Sequence, residues 1–176
     1  MASPGSGPRS GSRSETALSD VSNILWRERQ LVELLVFKLE EEQLVLAAGR
    51  SRWLAYATRE VENVLAEIKR VELERAVQVA AAGRDLGLSS APTLRELAVL
   101  TAPPWNGIFA EHRRALLGLA QEIDAITNSN RELLQRGHES ARDAIAAIGE
   151  IEIDAVDARG PRRDRSVRLS IVDEAM

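Results

Sequence analysis

Side chains able to do chemistry are scarce in this 176-residue chain: it has no cysteine, and its histidines are His112 and His138. Without cysteine there is no thiolate nucleophile, no disulfide framework and no Cys-based zinc site. A di-iron helical bundle needs Glu-x-x-His pairs projecting inward. Here Phe109 precedes His112 by three residues and Gln135 precedes His138, so neither pair exists. Spacing alone leaves a Ser/His/Asp arrangement open, but there is no G-x-S-x-G elbow, no Walker lysine loop and no G-x-G-x-x-G. The reading is therefore a protein without catalysis, cofactor or metal. His112, in an otherwise apolar row, reads as a core-edge histidine whose ring packs while its nitrogens reach water. His138, beside Gly137, reads as a surface residue.

The other charged constellation is the run Arg159, Arg162, Arg163, Arg165 and Arg168. It has no aromatic residue to stack on bases, and residues 150–176 hold seven acidic side chains against these five basic ones. A solvated linker explains it better than nucleic-acid binding. The whole chain carries −4 and has 3% aromatic residues, which argues against a nucleic-acid partner and against a β-sandwich. Residues 1–17 contain five Ser, three Gly and two Pro without an apolar run, unlike a secretory signal. No apolar stretch reaches the ~18 residues of a membrane helix. The expectation is a cytoplasmic protein without membrane insertion.

What remains is helix surface. From Val21 to about Ala48, Leu25, Val32, Leu39 and Leu46 form a seven-spaced row, with Ile24, Leu31 and Val45 beside it. Such rows make the seam of a bundle or coiled coil. Ser19–Asp20 reads as the N-cap region and Gly49 as the C′ glycine. A second helix capped by Ser51 is expected to reach Asp85, with rows Leu54, Val61, Ile68 and Ala57, Val64, Val71. Gly83 and Gly87 mark its frayed end. Thr93 and Glu96 form a capping-box pair, predicting a short helix from Leu94 to about Leu100. Pro104 before Trp105 suits the start of a last helix, running to about Ile148.

The rows of this last helix are Phe109, Leu116, Ile123, Asn130, Gly137, Ala144 and His112, Leu119, Ile126, Leu133, Ser140, Ala147. Apart from His112 they are apolar through Ile126, then turn polar or small at Asn130, Gly137 and Ser140, before Ile145 and Ile148 resume. Two readings of Asn130 stand side by side. It can set register in a helical seam at some cost in stability. Alternatively, the seam is left for a helix of another protein. The sequence thus predicts an all-α, elongated antiparallel bundle or coiled coil: three long-to-medium helices, a short connector helix and disordered termini. Residues 1–18 read as a leader, 19–149 as the bundle and 150–176 as a flexible charged tail.

With these features the chain resembles the FlgN family, the cytoplasmic export chaperones of the bacterial flagellum. The resemblance spans roughly residues 20–149. The family pattern Leu-Asn-x-x-Asn-x-x-Leu-Ile is met by Ile126, Asn130, Leu133 and Leu134, while Thr127 stands where the first Asn is expected and Asn128 is displaced by one. The resemblance implies a chaperone that binds the hook–filament junction proteins FlgK and FlgL through their helical terminal segments. It would keep them from associating early and deliver them to the type III export gate, with no cofactor.

The expected docking surface is the second half of the last helix: Ile126, Asn130, Leu133, Leu134, Ala141, Ile145 and Ile148. The alternating Val167, Leu169 and Ile171 of the tail could occupy that groove while it is empty. Free, the protein would be a monomer or weak homodimer. A scaffolding coiled-coil homodimer and a signalling adaptor are the competing readings.

Overall fold

The computed structural model describes the backbone of residues 9–157 and the side chains of residues 11–148. Four α-helices make up the described chain: α1 (Arg9–Ala47), α2 (Ser51–Asp85), α3 (Leu94–Leu100) and α4 (Trp105–Asp157). The all-α class and the order of long helix, long helix, short connector, long helix are as the heptads and caps predicted. The chain divides at Gln135/Arg136 into two compact units. The first holds α1, α2, α3 and α4 up to Gln135. Among the described residues, the second is the remainder of α4.

In the first unit α1 and α2 form an antiparallel hairpin, and its turn follows from Gly49. At φ 62° this residue adopts a backbone that glycine takes without steric cost. The amide of Gly49 donates to Leu46 O and that of Arg50 to Val45 O, both at 3.0 Å. These two bonds are a Schellman closure. The same closure ends α2, where Gly87 (φ 74°) and Leu88 donate to Arg84 O and Gly83 O. Ser51 is the first residue of α2 and not its cap; Arg50 holds the cap position without a side-chain bond. The Thr93–Glu96 capping box forms as expected: Glu96 N donates to Thr93 Oγ1 at 3.2 Å and Thr93 N to Glu96 Oε2 at 2.7 Å.

Apolar side chains meet in two clusters. At one end Leu18, Val21 and Leu25 of α1 meet Ala82 of α2, Leu97 of α3 and Phe109 of α4. Toward the hairpin turn Leu35 and Leu39 pack with Val61, Val64 and Ile68, joined by Ile123 and Ile126 of α4. The stretch between them carries an ion pair, Arg75 Nε to Glu28 Oε2 at 2.8 Å. Glu28 is buried, and desolvation pushes its carboxyl above the usual range against the pull of Arg75, with Glu72 adding to the rise. The outer faces are laced with exposed pairs such as Arg27–Glu74, Arg29–Glu33 and Arg70–Glu67, each worth little to stability.

Helix limits differ from the sequence reading in three places. First, α1 starts at Arg9, ahead of Ser19–Asp20. Leu18 is buried in the first cluster with Ala17 against it, and Ser14 Oγ donates to Asp85 O at 3.4 Å. Tertiary contact thus extends the helix through residues of poor intrinsic propensity. Second, Gly83 does not mark fraying: it is buried inside α2, and a Cβ there would lie 2.7 Å from Pro92 Cδ and 3.1 Å from Ser90 O. The connector crosses α2 at this bare position.

Third, α4 is one continuous helix through Gly118 and Gly137 and runs past Ile148 to Asp157. Gly149 lowers helix stability by about 1 kcal/mol relative to Ala, but no proline follows before Pro161. The leader residues 1–8 and the tail from 158, including Arg159–Arg168 and Val167, Leu169 and Ile171, lie outside the described residues.

Candidate protein-docking surface

The polar break in the α4 seam begins at Asn130, and in the first unit the chain itself fills it. Asn130 is 4% exposed. Its Nδ2 donates to the backbone carbonyl of Leu39 at 3.1 Å and to Glu42 Oε2 at 3.3 Å. Glu42 Oε1 also accepts from Thr58 Oγ1 at 2.7 Å. Beside it, Gln43 Nε2 donates to Ser129 Oγ at 2.8 Å. Glu42 of α1 therefore ties α4 and α2 together through two side-chain bonds. Buried polar bonds of this kind fix axial register, because a shifted helix leaves the donors unpaired. Sequence reasoning missed Glu42: it lies 88 residues from Asn130, and only the parallel course of α1 and α4 brings them together.

The expected docking residues fall in different environments. In the first unit, Ile126 packs against the second apolar cluster, Asn130 is buried as described, Leu133 is half-buried and Leu134 is exposed. In the second unit, Ala141, Ile145 and Ile148 are spaced i, i+4, i+7 on one helix face. Ile145 is 70% and Ile148 64% exposed, and Ala141 is exposed too. Around them Gly137, Ser140 and Ala144 are small and exposed. The arrangement offers aliphatic surface without bulk, which suits close approach of a second helix. The turn end of the hairpin also exposes apolar surface: Leu44, and Trp53 with Tyr56, ring centroids 5.8 Å apart.

His112 is deeper than its sequence reading allowed. The residue is 2% exposed, with Nε2 3.4 Å from Ser22 Oγ and the ring in a T-shaped contact with Trp26, centroids 5.1 Å apart. Its nitrogens do not reach water: Nδ1 is buried without a partner. Desolvation first, and Arg29 second, lower its pKa below the ordinary 6.5, while Glu111 opposes them. His138 is exposed. Among the described residues no group of three or more His, Asp or Glu is placed to hold a metal. No helix there is long and apolar enough to cross a membrane.

A heptad hairpin, a capped connector and a long last helix with an exposed aliphatic stripe are features that many helical proteins share. The family model described as FlgN protein matches residues 17–152 of the sequence, most of the chain. The chain belongs to the FlgN family. No curated protein and no solved structure gives a significant match. The FlgN match begins within α1, one residue before the buried Leu18, and ends in α4 beyond Ile148. FlgN proteins are flagellar export chaperones, so protein partners in flagellar export follow from membership. Both the exposed stripe and the Asn130 register site lie within the FlgN match.

Proposed function

We propose that this protein is a cytoplasmic type III export chaperone for hook–filament junction proteins of the FlgK and FlgL kind. It covers the helical terminal segments of these cargoes, prevents their early association and hands them to the flagellar export gate. The observation that carries the reading is the Ala141, Ile145, Ile148 face, aliphatic and open to solvent. An unaccompanied amphipathic cargo helix would aggregate through its own apolar face, and a stripe of this width can shield it. Leu133 and Leu134 are the docking residues proposed in the first unit. Ile126 and Asn130, also expected at the docking surface, have side chains already engaged within the first unit. Small and polar neighbours limit the apolar area buried, which keeps the complex reversible.

The test is to mix the purified protein with purified FlgK-type and FlgL-type proteins of a flagellated host and weigh the complex by light scattering. The reading expects a one-to-one complex. A homodimer that ignores both cargoes would favour the scaffolding coiled coil.

A further inference from the structure

Opposite the core-facing side of α3, a groove of about 540 Å³ runs between α3 and α4 in the first unit. Its walls carry three guanidinium groups, Arg95 from α3 and Arg113 and Arg114 from α4. None of them has an ion-pair partner among the described residues. Glu96, the one carboxylate of α3, is taken up by the Thr93 cap. The groove thus brings three unpaired guanidinium groups together, and no carboxylate is among the residues that line it.

The surface between the arginines is apolar and bare. Val99 is 76% exposed and Leu117 half exposed, although Leu97 on the other side of α3 is fully buried. Gly118 lines the same groove, and a Cβ added there would meet nothing within 4 Å. Internal packing therefore does not require this glycine, and glycine weakens a helix interior. It does leave space for a backbone to approach closely.

We infer that the α3–α4 groove docks an acidic amphipathic segment of a partner protein, whose apolar side covers Val99, Leu117 and Gly118 while its carboxylates pair with Arg95, Arg113 and Arg114. Arginine suits this task because its planar fork binds carboxylate bidentately. A nucleic acid would find charge here but no aromatic side chain to stack its bases, and it would leave the apolar floor uncovered. The groove shares no residue with the proposed cargo stripe and does not depend on where cargo docks.

The probe is a fluorescent 18-residue helical peptide with leucines at i, i+3, i+4 and i+7 bordered by glutamates. Its isosteric glutamine version, vesicles of phosphatidylcholine with phosphatidylglycerol, and a single-stranded oligonucleotide serve as comparators. Each is titrated against the intact protein, an Arg95→Gln/Arg113→Gln/Arg114→Gln variant, Gly118→Leu and an Arg50→Gln/Arg52→Gln control. Circular dichroism verifies that every variant is folded. The expected result is binding of the glutamate peptide at least tenfold tighter than the glutamine peptide. That binding should fall at least tenfold in the triple variant and at least fivefold in Gly118→Leu, and be unchanged in the control. Equal binding of the two peptides, no loss in either groove variant, or tighter binding of vesicles or oligonucleotide through the same arginines would overturn the inference.

Discussion

Asn130 donates its side-chain amide to the backbone carbonyl of Leu39 across 3.1 Å, joining α4 to α1 through residues 91 apart in sequence. The bond makes Asn130 a register pin within the first unit and moves the candidate cargo surface to residues that are free. It also separates two classes of substitution along α4, those that harm the fold and those that harm docking.

Asn130→Ala belongs to the first class. It removes the donor to Leu39 and Glu42 and leaves a small void in a buried site, at an expected cost of about 1–3 kcal/mol. Urea unfolding should show a lower midpoint with unchanged slope. Cargo affinity per folded molecule should stay the same.

Two glycines should respond in opposite directions to the same change. At Gly83 an added Cβ would press on Pro92 and the Ser90 carbonyl. Gly83→Ala is thus expected to destabilise by about 1–2 kcal/mol, overpacking outweighing the gain in helix propensity. At Gly118 the Cβ meets open space, so Gly118→Ala should stabilise by up to about 1 kcal/mol. Thermal and urea melts of the pair check both signs.

How far the sequence revealed this fold depends on whether its determinants were local. Thr93 with Glu96, Pro104 before Trp105 and Gly49 act within a turn of their own position, and each element boundary they predicted is present. The extension of α1 to Arg9 depends on Leu18 reaching a core built from residues up to Phe109, and nothing near Ser14 signals that. Gly83 looked like a helix breaker because its reason, Pro92, arrives from the connector. For the site, period and residue type identified Ile145 and Ile148 as apolar positions on one face. They could not reveal that the Asn130 side-chain amide N–H is taken up by Leu39 and Glu42.

Acid should weaken the fold through His112. Burial holds its pKa below 6.5 in the native state, so the unfolded chain takes up the proton first as pH falls. The stabilising preference for the neutral ring is complete above about 6.5 and is lost as pH drops through the lowered native value. Glu28, held high by burial, acts in the opposite sense: its contribution is present below the ordinary carboxyl range and is lost as pH rises through its raised native value. Urea midpoints at pH 7.5 and 5.5 should fall toward acid in the intact protein, and fall less in His112→Gln.

The exposed stripe makes the central claim testable without touching the core. Ile145→Glu with Ile148→Glu alters two side chains that are mostly in solvent, so the melting temperature should move by little. The most direct measurement is a calorimetric titration of the intact protein and of this double variant with a purified FlgK-type cargo. The account predicts at least tenfold weaker binding by the double variant, its melting temperature unchanged. Equal affinity of the two proteins for cargo would contradict it.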